Sequence, residues 1–151
     1  MKTRQCSRLI IVNEQNELLL FQYKDEHKPE PFWATAGGEL KEGESYLDAA
    51  KRELYEETGL KNNIGDLLME REDIFAVARS TPAIWQEKYY LVRCKSDSEV
   101  FAAEWTDEEK STIQQWKWWS LAEMENEGVH SFKPDCLPDL LNTILNGEAI
   151  A

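Results

Sequence analysis

The sequence predicts one mixed α/β (α+β) domain over residues 1–151. Short apolar segments bounded by turn residues indicate strands, and a segment with clear start and stop signals indicates a helix. Strands and helices do not alternate in a regular βαβ rhythm, and no repeat or linker marks a second domain. Of the 151 residues, 42% are hydrophobic, which is enough for one buried core.

Several apolar segments have the composition of strands, and polar turn or loop residues separate them. They are Leu9–Val12, Leu18–Phe21, Phe32–Ala36, Ile74–Ala78, Ile84–Cys94 and Trp116–Trp119. Residues 13–16 are typical of a turn, so the first two segments predict a hairpin. Gly37 and Gly38 are predicted to end the third strand. Residues 24–31 and 97–111 are polar and predict loops.

The segment from Ser45 to Thr58 is the clearest helix. Ser45 and Asp48 resemble a capping box, and Gly59 stands where a left-handed C-cap is expected. Three apolar residues recur at helical spacing and should face the core: Leu47, Ala50 and Leu54. Ser120 with Glu123 signals the start of another helix, and Leu137–Leu145 predicts a last one.

The formal net charge of −12 repels nucleic-acid backbones and anionic membranes. The sequence therefore predicts no nucleic acid polymer and no membrane as partner. The same charge repels a free phosphate compound, so a phosphate-handling site here needs an intervening cation. Acidity that only keeps the surface soluble explains the charge equally simply.

The cysteines Cys6, Cys94 and Cys136 are scattered and odd in number, which favours reduced thiols over a disulfide framework. The isolated histidines argue against a His/Cys zinc site. The apolar run near the N-terminus is too short for a signal peptide or a membrane span, so a cytoplasmic location is expected.

Three carboxylates share one stripe of the predicted helix. At about 100° per residue, Glu56 lies about 60° to one side of Glu53 and Glu57 about 40° to the other. Such crowding needs a cation, and Arg52 is the only one adjacent in sequence. Oxygen ligands favour Mg²⁺ or Mn²⁺. An ordinary solvated helix face is the alternative interpretation.

In the metal interpretation, the acids face a cleft while the apolar stripe anchors the helix. Glycine has no side chain to obstruct a close approach of the backbone. A carbonyl at Gly37 or Gly38 could therefore complete the coordination.

Residues 38–60 resemble the signature of the Nudix hydrolases. Every defined position of that pattern is filled, by Gly38, Glu44, Arg52, Glu53, Leu54, Glu56, Glu57, Gly59 and Leu60. One local departure is Ala36, where many relatives have proline before the two glycines. The resemblance implies an α/β/α sandwich around a mixed β-sheet and Mg²⁺-dependent hydrolysis of a pyrophosphate bond, with Mn²⁺ as a possible substitute.

The resemblance also implies roles for individual residues. Glu53, Glu56 and Glu57 would bind the metal with a backbone carbonyl near Gly37, and Glu44 and Arg52 would orient these acids. Some relatives use an acid of the signature as general base, here Glu53, and others use a downstream loop acid. The downstream candidates, in order, are Glu109, Glu108 and Glu87, and for each of them an ordinary solvated loop position is the alternative.

The substrate is predicted less closely than the reaction. Aromatic faces that could stack on a base belong to Phe32, Trp33, Trp85 and Trp105. Core packing is the favoured interpretation for Trp33, Trp116 and Trp118, and alternation places the last two on one side of a strand. Arg8 and Arg79 could hold phosphates or a carboxylate, or could be surface charges.

Residues 74–79 lack the proline that marks many ADP-ribose hydrolases of the family and the tyrosine that marks many of its dinucleoside polyphosphate hydrolases. Elimination leads to a small-molecule nucleoside triphosphate or related nucleoside diphosphate compound.

Three alternatives stay open: a non-catalytic nucleotide-sensing domain, an ADP-ribose or nucleotide-sugar pyrophosphatase, and an isoprenoid diphosphate isomerase. Such an isomerase usually needs a reactive cysteine, and the cysteines here have no motif context for it. Many relatives are homodimers, although no segment of the sequence marks an interface.

Overall fold

The computed structural model describes residues 2–24, 30–75, 81–95 and 113–147. The strands in these ranges are β1 (Thr3–Val12), β2 (Leu18–Tyr23), β3 (Phe32–Ala34), β4 (Ala36–Glu39), β5 (Leu67–Phe75), β6 (Ala83–Arg93), β7 (Ile113–Trp119) and β8 (Phe132–Lys133). The helices are α1 (Tyr46–Thr58), α2 (Leu121–Glu127) and α3 (Leu137–Leu145), with a 3₁₀ turn at Val129–Ser131.

The described strands form one mixed sheet with β1 near its centre. The strand order is β5-β6-β1-β2-β3-β8, with β4 paired to β1 and β7 paired to β2. The β1/β6 and β3/β8 pairs are parallel and the other pairs are antiparallel. Strand β1 is buried on both faces from Leu9 to Val12, which explains why this segment is a continuous apolar run.

The predicted hairpin is confirmed, with Val12 opposite Leu18. The Asn13 side-chain oxygen accepts hydrogen bonds from the N–H groups of Gln15 and Glu17, each at 3.0 Å. This local bonding explains why a short polar segment can reverse the chain between two apolar strands.

Helices cover both faces of the sheet, so the predicted α/β/α sandwich is confirmed. On one face, Ala50 and Leu54 of α1 pack with Leu9 and Ile11. On the other face, Met124 of α2 and three leucines of α3 pack with Ile10, Leu20 and Tyr89; the leucines are Leu137, Leu140 and Leu141. Helix α2 begins with the predicted capping box, in which Ser120 and Glu123 bond each other's backbone.

The prediction that Gly37 and Gly38 end a strand is wrong. The strand is interrupted at Thr35, between β3 and β4, and the two glycines lie inside β4. Gly37 pairs with Arg8 and Gly38 with Ser7. Strand β4 therefore pairs with β1 on the same edge as the hairpin partner β2, nearer the start of β1. Strand β5 also begins before the predicted Ile74; residues 76–80 and the predicted loop 97–111 lie outside the described ranges.

Two apolar side chains that were expected in the core are exposed. Leu47 is 43% exposed, because it lies in the first turn of α1 and away from the packed side of the helix. Trp116 is also 43% exposed. It shares a sheet face with the half-buried Trp118, as alternation predicts, but it sits on β7, whereas α1 packs on β4 and β1.

None of the described helices combines the length and apolar composition needed to cross a bilayer.

Truncation of α1 at two leucines tests which side of the helix carries its packing. Leu54→Ala should lower the free energy of unfolding by about 2–5 kcal/mol, because Leu54 is 1% exposed and a cavity would remain. Leu47→Ala on the same helix should change it by less than about 0.5 kcal/mol. Urea unfolding followed by circular dichroism measures both, and equal losses would contradict the packing described here.

Candidate functional site

Helix α1 is fixed at both ends. The Ser45 hydroxyl accepts the N–H of Asp48 at 3.1 Å, and the Ser7 hydroxyl of β1 donates to the Tyr46 carbonyl at 2.6 Å. At the other end, Gly59 has φ 76° and its N–H donates to a carbonyl four residues earlier at 2.8 Å. The two caps end the helix at defined residues, and the Ser7 bond ties its first turn to β1.

Two of the three stripe acids face the sheet and not an open cleft, which corrects the expectation that the acids lie opposite the apolar residues. Glu53 is 8% exposed and Glu57 is 2% exposed, and both share the buried side of α1 with Ala50 and Leu54. Only Glu56 is half-buried. A buried carboxylate needs strong hydrogen-bond donors, so these positions are not those of an ordinary solvated helix face.

The paired glycines of β4 make room for these carboxylates. A Cβ atom on Gly38 would come within 2.5 Å of a Glu53 carboxylate oxygen. A Cβ on Gly37 would overlap the Ser7 carbonyl, and Gly37 has φ +138°, which favours glycine. Without a side chain in the way, the Gly37 N–H donates to Glu57 Oε2 at 3.1 Å.

One guanidinium gathers the remaining acids. Arg52 Nη1 donates to Glu53 Oε1 at 2.7 Å and to Glu56 Oε2 at 2.8 Å. Its Nε and Nη2 grip both oxygens of Glu44 at 2.8 Å, and Nη2 also donates to the Glu39 carbonyl at 3.0 Å. The hydrogen bond to Glu44, followed by the bond to Glu53 and the charges of Glu53 and Glu56, outweighs burial and raises the pKa of Arg52.

Two carboxylates in and beside this network, those of Glu44 and Glu39, are stabilised as anions by an arginine. The side-chain hydrogen bond from Arg52 lowers the pKa of Glu44 to about 2, although burial opposes this, and the N–H of Lys41 adds to it. Arg4 likewise lowers the pKa of Glu39, to which it donates at 2.9 Å and 2.5 Å. Both acids therefore stay charged at neutral pH.

The acids fit a hard cation in their chemistry. Glu53 and Glu56 already converge on a single positive point, Arg52 Nη1, and the Glu57 carboxylate lies against β4. Within the described ranges, no three His, Cys, Asp or Glu side chains stand at ready-made metal-ligand spacing. A divalent cation at this point would therefore need the carboxylates of Glu53 and Glu56 to turn from Arg52.

A cavity of about 450 Å³ opens beside this network. It is lined by Thr3, Arg4 and Gln5 of β1 and by residues 39–44. The cavity therefore shares Glu39 and Glu44 with the Arg52 network.

Arg8 and Glu87 occupy positions that their sequence context did not reveal. Glu87 is 7% exposed on β6, so the expectation of a solvated loop acid is wrong for it. Arg8 Nε donates to Glu87 Oε2 at 2.8 Å, and the Tyr89 hydroxyl donates to Glu87 Oε1 at 3.2 Å. Arg8 is thus an inward-facing ion-pair partner and not a free surface charge.

The described aromatic side chains that were predicted to stack on a base are buried or already contact another side chain. Trp33 packs edge-on against Trp119 in the core, which confirms the packing interpretation for it. Trp85 is 4% exposed, and the Arg4 guanidinium lies 4.3 Å from its ring centroid, so the stacking expectation is not supported for this ring. Phe32 is half-buried and stacks on Tyr23 at 5.8 Å.

Other predicted site residues lie outside the described ranges: Glu108, Glu109, Arg79 and Trp105. Two further residues of the site, Arg4 and Glu39, were not predicted from the sequence. Glu39 directly follows the glycine pair, but its partner is 35 residues away, and only the β1/β4 pairing brings the two together.

Comparisons with known proteins agree with this geometry. The model of the NUDIX domain matches residues 2–140. Nudix hydrolase 6 of Arabidopsis thaliana is 32% identical over 118 residues, which are 71% of this chain but 40% of that protein. An RNA pyrophosphohydrolase of Roseobacter denitrificans is 28% identical over 143 residues, which are 87% of this chain and 85% of that protein.

A similar fold occurs in the crystal structure of a MutT protein from Methanosarcina mazei Go1. The two superpose with a TM-score of 0.69 at 18% identity, over 97% of this chain and 95% of that one. The chain spans less than half the length of the Arabidopsis relative. The match of the domain model across almost the whole chain nevertheless shows that this protein belongs to the NUDIX domain family.

Proposed function

We propose that this protein hydrolyses a phosphoric anhydride bond in a nucleoside diphosphate compound, with a divalent cation held by the acids of α1. The observation that carries the proposal is the arrangement around Arg52 and β4. Glu53 and Glu56 meet at one nitrogen, and the Glu57 carboxylate reaches the Gly37 N–H. Nudix hydrolases generally use divalent metal, which agrees with these hard oxygen donors.

In the proposed site, Glu53, Glu56, Glu57 and a backbone carbonyl near Gly37 hold Mg²⁺ or Mn²⁺. When bound, the ion would supply positive charge to neutralise the anhydride oxygens and to lower the pKa of water. Arg52 keeps Glu53 and Glu56 within reach of each other, and Glu44 holds Arg52 from its other edge. The glycine pair keeps the backbone close to these acids.

The general base is proposed among Glu53, Glu108 and Glu109. Glu53 lies within the acid group itself and accepts a hydrogen bond from Arg52. Glu87 is not favoured, because it lies on the sheet face opposite α1, where it is bonded to Arg8 and Tyr89. A base must lie beside the water that attacks the anhydride.

A nucleoside triphosphate is the proposed substrate class, and the 5′-triphosphate end of an RNA is a second candidate. The second candidate is favoured by the Roseobacter relative, an RNA pyrophosphohydrolase that matches along 85% of its own length. Both compounds present the same anhydride to the acids. The net charge of −12 works against long contacts with an RNA backbone, so the first candidate is preferred.

Removal of one acid tests the proposed reaction. Glu57→Gln keeps an oxygen for the Gly37 N–H but removes the charge, so turnover should fall by about 100-fold or more while the fold is retained. Purified protein and Mg²⁺ are incubated with nucleoside triphosphates, nucleotide sugars, dinucleotides and 5′-triphosphorylated RNA, and phosphate and pyrophosphate release is followed.

The control for this test is Glu70→Gln, which removes the same charge from a side chain 63% exposed on β5. Glu70→Gln should retain wild-type turnover. EDTA should abolish turnover in the wild-type protein and in Glu70→Gln alike. Tight binding of a nucleotide without any turnover would overturn the enzyme proposal and favour a nucleotide-sensing domain.

A methyl group at Gly38 tests the close packing of β4 on Glu53. In Gly38→Ala the added Cβ displaces the Glu53 carboxylate, so kcat should fall by about tenfold or more. The end of a side chain moves and not the backbone, so the midpoint of thermal unfolding should change little.

Gly128→Ala is the matched control for this substitution. Gly128 has φ 99°, ψ 145° and open space around it, so alanine should lower stability by about 1–3 kcal/mol and leave kcat unchanged. Loss of kcat in Gly128→Ala without loss in Gly38→Ala would contradict the prediction.

Acid should weaken the fold through Glu44. Its pKa is about 2 in the folded protein and ordinarily 4.5, so its stabilising contribution is complete above about pH 4.5. That contribution is lost as the pH falls from 4.5 towards 2. Glu44→Gln should therefore be less stable than wild type at pH 7 and lose less stability on acidification through this window.

Urea unfolding at a series of pH values measures this difference. Glu70→Gln separates the local effect from the change in net charge, and it should follow the wild-type curve more closely than Glu44→Gln does. A Glu44→Gln curve parallel to that of wild type from pH 5 to pH 2 would show that the Arg52 pair contributes nothing.

A further inference from the structure

A buried polar cluster lies on the sheet face opposite α1, and the proposed chemistry does not use it. It consists of Arg8 on β1 and of Glu87 and Tyr89 on β6. Tyr89 is 1% exposed, Glu87 is 7% exposed, and the side chain of Arg8 is 19% exposed. Burial, together with the neighbouring Glu87, raises the pKa of Tyr89, so its hydroxyl remains a hydrogen-bond donor.

The cluster has a defined bonding order. Tyr89 donates to one oxygen of Glu87 at 3.2 Å, and Arg8 Nε donates to the other at 2.8 Å. Arg8 pairs with Tyr89 across the β1/β6 ladder. Both oxygens of Glu87 are therefore engaged, and Arg8 is tied to this carboxylate through Nε.

The stem of Arg8 connects this cluster to the acids. Across the β1/β4 ladder, Arg8 lies opposite Gly37. A Cβ on Gly37 would lie 2.8 Å from Arg8 Cα and 3.1 Å from Arg8 Cδ. The Arg8 stem therefore packs directly against the residue whose N–H holds Glu57.

Stability alone does not account for a buried charge pair at this point. Taking two charges out of water is costly, and apolar replacements of similar volume often leave a fold at least as stable. An arginine locked at its guanidinium has a stem that cannot swing away, unlike an apolar side chain with free rotamers. Position is what such a pair can provide to its neighbour.

We propose that Arg8 is a positioning residue whose stem, locked by Glu87 and Tyr89, holds the Gly37 backbone in register with Glu57 for cation binding. This inference rests on the proposed function, because it assigns a metal to the acids of α1. Arg8 acts through Gly37 and need not touch the substrate. Removing the lock should weaken the cation site more than it weakens substrate binding.

The main test is the double variant Arg8→Met/Glu87→Leu, which removes both charges together, so no unpaired charge stays buried and the net charge is unchanged. Mn²⁺ binding is measured by electron paramagnetic resonance of the free ion, without substrate. The Mn²⁺ dissociation constant should rise by about 10-fold, a typical cost when support behind a metal site is lost. With a nucleoside triphosphate that the wild-type protein hydrolyses as substrate, kcat should fall by a similar factor and KM should change by less than about twofold.

A structural readout accompanies these numbers. Amide hydrogen exchange of Gly37, followed by nuclear magnetic resonance, should be faster in the double variant, because the hydrogen bond from the Gly37 N–H to Glu57 is less firmly held. Tyr89→Phe, which removes only one hydroxyl, should shift all three measurements in the same direction by a smaller factor. Arg8→Lys should restore part of the Mn²⁺ affinity.

The control is Lys88→Met/Glu70→Leu, which removes a neighbouring ion pair of 3.5 Å with an exposed carboxylate. It should leave Mn²⁺ affinity, kcat and Gly37 exchange at wild-type values. A rise in KM with unchanged Mn²⁺ affinity in the Arg8 double variant would overturn the inference and make Arg8 a substrate contact. Unchanged values in every measurement would show that the cluster only packs.

The proposed function itself fails separately. If Glu57→Gln binds Mn²⁺ as tightly as wild type, the acids of α1 are not the metal site. If Glu57→Gln loses affinity and the Arg8 double variant keeps it, only the positioning role is wrong.

Discussion

The arrangement of the acidic helix depends on one guanidinium. Arg52 contacts Glu44, Glu53, Glu56 and the Glu39 carbonyl, so four groups from a loop, a strand and a helix share one cation. Without it, neighbouring carboxylates would repel each other, and burial would favour their neutral forms. Arginine suits this position better than lysine, because its planar fork offers several fixed donors at once. The guanidinium therefore sets the direction of the acids and lowers the pKa of Glu44.

The backbone supplies the second constraint. Glu57 is the most buried of the three acids on α1, and it accepts a hydrogen bond from the N–H of Gly37 on β4. The side-chain-free pair at Gly37 and Gly38 lets α1 lie close enough for this bond, while the Ser7 hydroxyl fixes the start of the helix. A helix and two strands thus meet within a few ångströms around carboxylates. Such precision is expected where groups must keep their geometry for chemistry.

Local signals in the sequence predicted what depends on near neighbours. The caps at Ser45 and Gly59, the hairpin and the capping box of α2 follow from residues within a few positions of each other, and the structure confirms them. Contacts across long separations were not predictable in this way. Arg8 and Glu87 are 79 residues apart, and Arg4 and Glu39 are 35 apart. Helical spacing likewise gave the mutual angles of Glu53, Glu56 and Glu57 but could not show that two of them face inward.

The pairing of the arginines bears on how an acidic protein can act on an anionic substrate. In the described part of the chain, Arg4, Arg8 and Arg52 each donate to a carboxylate of the protein itself. Their charge is therefore largely neutralised before any phosphate arrives, and an overall charge of −12 adds repulsion. In the proposed site these three arginines therefore add little to the charge that attracts an anhydride. A dication held by the proposed acids would supply that charge, because each acid that raises the local negative charge also strengthens the binding of the ion.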